Sequence, residues 1–498
     1  MRTVKGPTDR VVIVGAGLAG LSAALRLAGA GREVTVLETE PVPGGRAGRV
    51  DISGYRLDNG PTVLTMPDLI ADAFAAVGEE MSDWLELTAL DPAYRAFYPD
   101  GSRLDVLTDP AAMAQHIHEV IGPQEAAGYE RFVEFAAQLY RLEMTRFIDR
   151  NIDTPFDLVH TDLARIVALG GFRRLSSKIG DYLKDPRTQR VFSFQALYAG
   201  LAPQDALALY AVIAYMDSVA GVFAPTGGMS AVPEAMAAAA AKHGVAFHYE
   251  TTVTSVEHSG GRASAVITED GRRIAADAVI LNPDLPVAYR DLLGKPHWRS
   301  RFLKYSPSCY LLLAGSDRDY PQTVHHNIHF GHGWRSVFEE IIDRKVPMSD
   351  ASLLVSHPTH TDPSLAPPGK HVYYVLFPTP NLTADIDWRE FAPRYREKVL
   401  QTLEERGYRG FAEGIEVEDV TTPQDWADRG MEAGAPFSAA HTFFQTGPFR
   451  PSNMWGDNVV FTGSGTQPGV GVPIVLMSGR LAAERVTGPD RSYRSRAY

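Results

Sequence analysis

Only one cysteine, Cys309, stands among 498 residues, so no intrachain disulfide can form, and the chain reads as suited to a reducing compartment. Its neighbours Ser308 and Tyr310 suggest a packed thiol more than a nucleophile. Long apolar runs are absent too: the longest strongly apolar stretch, residues 206–216, is too short to cross a bilayer. The opening sequence MRTVKGPTDR lacks a signal-peptide core, so a cytosolic protein is expected. Positive charge is not in excess. The net charge of −12 and pI near 5.7 argue against nucleic acid as a bulk partner. Ligand sets for a metal are missing: His325, His326, His329 and His332 cluster without a cysteine or neighbouring carboxylate, and no metal is expected. With 45% hydrophobic residues, the chain can bury a large core, and its length suggests two or more domains.

What is present starts at residue 11. VVIV is fit for a buried parallel strand, and Gly15, Gly17 and Gly20 follow in G-x-G-x-x-G spacing. The first glycine makes the tight turn, the second admits a pyrophosphate to the backbone, and the third lets a helix pack on the strand. Leu18, Leu21, Leu25 and Ala28 recur at helical spacing, and the helix N-terminus favours phosphate. A second strand at 34–37 leads to Glu38, placed to accept hydrogen bonds from ribose hydroxyls. Gly15, Ala16, Gly17, Gly20 and Glu38 thus form a dinucleotide site. Gly44, Gly45 and Arg46 add a second close approach and a guanidinium fork for phosphate oxygens; a surface turn is the competing reading. No second complete fingerprint follows, so one tightly held dinucleotide is expected, and FAD fits best.

Downstream, Gly60, Pro61 and Thr62 lie in a turn whose polar neighbours Asp58 and Asn59 can meet a flavin edge or cap the helix near residue 67. Residues 94–106 read as a hairpin, 110–121 and 124–147 as helices. Residues 172–190 carry six Lys or Arg against two Asp, including Arg173, Arg174 and Lys178, and an apolar stretch runs on to residue 223. That stretch suits either a long apolar ligand or a buried helical hairpin. A helix is expected over 232–243, with strands over 245–255 and 277–282 and a hairpin turn at 269–271 adding to the nucleotide sheet, the backbone near Val253 reaching the adenine. The tail has a strand at 458–462, a turn with Gly463, Gly465 and Gly471, and a helix entered near Val472. This turn presents a helix dipole to a flavin or simply packs strand against helix.

Together the fingerprint, PGGRAG at 43–48, LDNGPTVLTMPDL at 57–69, SFQALYAG at 193–200 and GTQPGVGVP at 465–473 resemble the bacterial and fungal carotenoid (phytoene) desaturase family over nearly the whole chain. The resemblance implies an α/β (α+β overall) fold. It has a Rossmann-like FAD-binding domain of the amine-oxidase-like flavoprotein type at 8–90, 225–285 and 456–488. A discontinuous substrate domain is expected at 91–224 and 286–455, followed by a flexible tail at 489–498. It implies FAD as sole redox cofactor, a hydrophobic carotenoid substrate desaturated by hydride transfer to flavin and proton loss, and peripheral attachment to a membrane surface. Residues 165–224 then become tunnel wall and membrane contact, with Arg173, Arg174 and Lys178 at the surface. Asp162 and Arg165 match a D-x-x-R stretch of the family and are candidates for base and orienter, a helix-surface ion pair being the plainer reading. Gln467 stands where the family often has His, and Ala224 and Thr226 replace an aromatic and a basic residue, which leaves the extent of desaturation open. A carotenoid isomerase, an amine oxidase and a prenyl-lipid escort protein remain alternatives.

Overall fold

A computed structural model describes residues 1–295 and 302–490; most of the expected tail lies outside them. Two sheets organise the chain. The first, in spatial order, runs Met454–Trp455, Val459–Phe461, Ala278–Leu281, Arg10–Val14, Glu33–Leu37, Ala246–His248. It is parallel except for its first pair. Val12 sits opposite Val279 on one side and Thr35 on the other. Val11 to Val14 are all buried, as a parallel strand covered on both faces demands. The helices Leu18–Gly29, Ala231–Lys242 and Val472–Thr487 supply one cover, through Leu21, Leu25, Met236, Leu476 and Met477.

The other cover corrects an expectation. Ala278–Leu281 joins the nucleotide sheet as expected, between Arg10–Val14 and Val459–Phe461, but of residues 245–255 only Ala246–His248 does, beside Glu33–Leu37. Val253–Ser259, Arg262–Thr268 and Arg273–Ala275 form a separate antiparallel sheet, because Val253, Val256, Ala263 and Val266 bury themselves against Val12, Val14 and Val279. Its first turn falls at Gly260 and Gly261, both with positive φ, and the turn expected at 269–271 is its second.

The second main sheet has seven strands, in the order Ile415–Thr421, Ser308–Ser316, His371–Thr379, Leu353–Ser356, His326–His329, Tyr94–Phe97, Arg103–Val106. All neighbours are antiparallel except Tyr94–Phe97 against His326–His329. Helices Pro110–Val120 and Pro123–Glu143 follow its hairpin, the latter widening into a π-helical turn over Met144–Ile148 where one straight helix was expected. The apolar stretch after residue 190 is no helical hairpin. It is a chain of short pieces, Phe194–Ala199, Ala208–Tyr210 and Ala211–Ser218. Among the described residues no helix is long and apolar enough to cross a membrane.

Candidate functional site

A single cavity of about 1460 Å³ runs from the glycine-rich turns into the space beside the second sheet. That exceeds the roughly 300–1,000 Å³ of an ordinary ligand pocket and leaves room for two guests. Its first end is the nucleotide cradle. Gly15, Gly17, Glu38, Gly44, Gly45, Arg46, Gly60, Pro61, Thr62, Val253, Gly463, Gly465, Gly471 and Val472 all line it.

Ala16 and Gly20 stand behind that wall. The Ala16 amide donates to Glu38 Oε2 at 2.6 Å and Glu40 N–H donates to Oε1 at 3.0 Å, so two backbone dipoles aim the carboxylate. Burial pushes the Glu38 carboxyl up, and these amides pull it back. A Cβ on Gly20 would lie 2.2 Å from Gly15 O, which is the strand-helix contact that its place in the motif requires. Gly17 and Gly44 pair as a lone parallel bridge, and a Cβ on Gly17 would reach within 2.8 Å of Asn282 Nδ2. The cradle therefore has the bare backbone and the helix N-terminus that a dinucleotide pyrophosphate needs.

Arg46, expected to offer its fork to phosphate oxygens, lines the cradle and is also engaged by protein groups. Its Nη1 donates to Ser438 Oγ at 3.1 Å and to Ser464 Oγ, and Nη2 lies 3.7 Å from Asp284. It ties the first glycine turn to the 463–473 loop. Asp58 likewise caps neither flavin nor the Asp68–Ala75 helix. It accepts from Met229 N at 2.7 Å and Ser230 N at 3.0 Å, and burial raises its carboxyl to about 6. Gln467 is buried, absent from the cavity wall, and accepts from Ile152 N at 3.3 Å, which fits a position without acid or base duty.

The other end is apolar. Phe194, Leu197, Tyr198, Leu207, Leu209, Tyr210, Ile213 and Met216 from the sequence-predicted lining face the cavity, whereas Phe192 and Val222 pack in the core behind it. Leu354, Tyr374 and Leu376 from the second sheet complete the chamber. Asp162 and Arg165 do not reach it. Leu163 and Ile166 of the same helix line the cavity, while Asp162 is buried among Arg165 at 2.9 Å, His160 at 2.9 Å and Arg146 at 3.7 Å. The geometry is that of an ion-pair cluster on the back of the helix, so the expected base and orienter face away from the cavity.

The basic stretch is also redistributed. Arg173 is committed to Asp181 at 2.6 Å, Arg174 donates to Asp205 O, and the Lys178 side chain, only 12% exposed, lies over the Phe135 and Tyr182 rings. Lys178 is therefore not a surface contact. The exposed surface at the cavity mouth is aromatic instead. Phe172, Phe443 and Phe449 line the opening and remain 40–45% exposed, with Phe444 75% and Phe156 83% exposed nearby. Phe443 lies 6.3 Å from Phe172, 5.2 Å from Phe444 and 5.9 Å from Phe449 between ring centroids.

Among the polar residues at the cavity that escaped the sequence reading are Glu143, Asp217 and His441, which line it, and Arg450, which braces the 463–473 loop. Glu143 had a signal, since it follows Phe132, Phe135 and Leu139 at helical spacing and so puts a carboxylate on an apolar stripe. The histidine group is structural: His325 Nδ1 meets Thr361 Oγ1 at 2.8 Å, His326 Nδ1 meets Ser356 Oγ at 2.8 Å, and His329 Nε2 meets Tyr408 OH at 3.0 Å. Elsewhere Asp319, His357 and His371 come within 4.8 Å of one another, and His357 Nε2 and His371 Nδ1 sit at hydrogen-bond distance, 3.3 Å. None of these three lines the cavity.

Cradle, chamber and parallel sheet fit an oxidoreductase of the flavoprotein type. Residues 18–487 match the family of flavin containing amine oxidoreductases. The chain belongs to that family and, within it, to the carotenoid desaturases. It is 57% identical to a phytoene dehydrogenase of Streptomyces griseus, over 98% of this chain and 97% of the relative. It is 38% identical to a zeta-carotene-forming phytoene desaturase of Myxococcus xanthus, over 96% and 93%. The fold also matches an oxidoreductase from Methanosarcina mazei, with a TM-score of 0.60 at 17% identity over 95% and 99% of the two chains.

Proposed function

We propose that this protein is an FAD-dependent desaturase acting on a C40 carotenoid precursor of the phytoene class, which it takes from a membrane surface. The observation that carries the reading is the continuity of one cavity from a dinucleotide cradle into an apolar chamber. An amine oxidase needs polar groups to hold an ammonium. The second-sheet wall here offers Leu354, Leu376 and Tyr374, which suit hydrocarbon.

FAD would be held by residues 15–20, Glu38, Gly44, Gly45 and the 463–473 loop, and when bound would supply a two-electron acceptor for a hydride. The chain does the rest. The apolar walls align the polyene and exclude water, and the aromatic faces of Phe194, Tyr198 and Tyr210 stabilise transient positive charge on it. Purified protein with FAD and phytoene-loaded liposomes should give products whose absorption shifts to longer wavelength. Unchanged phytoene, or a geometric isomer with the same hydrogen count, would overturn the reading.

The membrane contact rests on the aromatic mouth. Fully burying a phenylalanine is worth roughly 1.5–3 kcal/mol, so three rings in the interface outweigh Arg173 and Arg174, whose charges are already engaged. Replacing Phe443, Phe444 and Phe449 by Ser should weaken liposome sedimentation at least ~100-fold, about 2.7 kcal/mol, with flavin content unchanged. Glu at Arg173 and Arg174 should matter less. A triple Ser variant that sediments like its parent would move the entrance elsewhere.

A further inference from the structure

Desaturation removes a hydride from one carbon and a proton from its neighbour. Once the hydride has left with its electron pair for the two-electron acceptor, the neighbouring C–H bond must break heterolytically. Its electrons become the second bond of the new alkene, and its proton needs an acceptor. Water is a poor candidate in an apolar chamber, so the wall itself has to be searched.

Beyond Glu38 and Asp284 at the cradle, the buried carboxyl and imidazole side chains that line the cavity are Asp217, His441 and Glu143. Asp217 is already held by Ser218 Oγ at 2.7 Å, Tyr94 OH at 3.3 Å and Gln195 Nε2 at 3.4 Å. His441 Nε2 has no hydrogen-bond partner, but protonation would create a second buried cation beside Arg450. Burial and that arginine both hold its imidazole neutral. For a carboxylate the same burial works in the opposite sense, because accepting a proton discharges it. Glu143 is 5% exposed, and its Oε1 has no hydrogen-bond partner.

Position agrees with chemistry. Glu143 ends its helix where the backbone widens into the π-helical turn Met144–Ile148, a distortion frequent at functional sites. The chain beyond it runs along the Val472–Thr487 helix, through Asn151 Nδ2 to Leu481 O at 3.0 Å and Ile152 N to Gln467 Oε1 at 3.3 Å. Tyr140 and Met144, on either side of Glu143, pack in the same core cluster as Val472 and Leu476 of the helix that follows the 463–473 loop, and Glu143 lies near enough to Tyr210 to add a little to the burial that raises that hydroxyl.

We propose that Glu143 is the proton acceptor of the desaturation, its free Oε1 taking the proton from the carbon next to the one that gives up hydride. This rests on the desaturase reading. The carboxylate also places a negative charge against the developing carotenoid cation, where low dielectric makes the attraction strong. Neighbouring elements carry Tyr210, Tyr215, Asp217, Asp162, Arg165, His441 and Arg450, yet burial is the one cause that shifts the Glu143 carboxyl, and it pushes it well above the ordinary range.

The test uses the flavin-loaded enzyme on phytoene liposomes. Wild-type turnover should climb with pH as Glu143 gives up its proton. Glu143→Gln should be at least ~100-fold slower, with a flat profile and parental flavin content, and Glu143→Asp should regain part of both. Melting without substrate gives a second readout. A carboxyl raised in the folded state costs stability as pH climbs above the ordinary carboxyl range, so Glu143→Gln should melt progressively above wild type over that span. Parental turnover or an unshifted pH profile in Glu143→Gln overturns the assignment, and so does loss of flavin together with activity, which would make Glu143 a packing residue. Wild-type enzyme that forms no desaturated product would instead sink the functional reading.

Discussion

Gly17→Val should yield a folded, colourless protein. Gly17 has φ −72° and ψ 168°, an extended conformation open to any residue, so the backbone does not object to a side chain. Space does. The first atom added meets Asn282 Nδ2 at 2.8 Å, the far end of a side chain whose single bond there, to Gly15 O, is long at 3.3 Å. Asn282 can swing aside, and the fold survives. The pyrophosphate has no such freedom, because it must lie against the amides at the N-terminus of Leu18–Gly29. An isopropyl group there should cost at least ~4 kcal/mol, about a thousandfold in affinity, and the protein should purify without visible flavin absorbance. Gly20 is the wrong place for this test, since its Cβ would strike Gly15 O at 2.2 Å and break the strand-helix contact itself. Stoichiometric flavin in folded Gly17→Val would mean that the cradle holds something else.

The nucleotide half was legible because its signals are local. A strand, a turn and a helix within about thirty residues fix one another through steric rules that glycine spacing displays directly. Residues 11–38 and 463–473 accordingly lie where they were expected. The other half depends on contacts far apart in sequence. Asp162 and Arg165 sit on a helix whose other face, Leu163 and Ile166, was chosen by the chamber, and no spacing rule says which face wins. Lys178 belongs to a stretch with a net positive charge, yet Phe135, from another helix, and its helix neighbour Tyr182 cover it. Val253 to Ala275 carry strand patterning that is equally good for extending a sheet or for capping it. The apolar faces of Val256 and Val266 found Val12 and Val279, and capping won.

The same limit explains the unread polar residues. A carboxylate such as Glu143 on an apolar stripe is visible once the stripe is recognised, but Arg450 has no pattern around it. It lies in a loop between Phe449 and Pro451, and only the folded chain shows what it does. Burial lowers its guanidinium to about 10, so it stays charged at neutral pH without a carboxylate partner. Backbone carbonyls take that place.

Arg450→Met should be the most damaging single change outside the fingerprint. Arg450 is 2% exposed. Its Nε donates to Thr466 O at 2.8 Å, Nη2 to Ser464 O, and Nη1 to Gln445 O at 3.3 Å and Ala439 O at 3.5 Å. One guanidinium thereby fixes the turn bearing Gly463 and Gly465 to the segment bearing His441 and the aromatic mouth. Methionine keeps much of the aliphatic volume and removes every donor, leaving up to four buried carbonyls to be satisfied by water or not at all, at about 1–3 kcal/mol each. Relief from burying an unpaired charge offsets part of this, so a net loss of ~3 kcal/mol is expected, a large share of a typical folding free energy. Thermal melting should fall by several degrees, and flavin should dissociate more readily than from wild type, since the loop that closes the cradle has lost its brace. Arg450→Lys should recover little, because an ammonium cannot fork to carbonyls on two segments. An Arg450→Met protein that melts with its parent and keeps its flavin on dilution would show that Arg46, through Ser438, Ser464 and Asp284, braces the loop unaided.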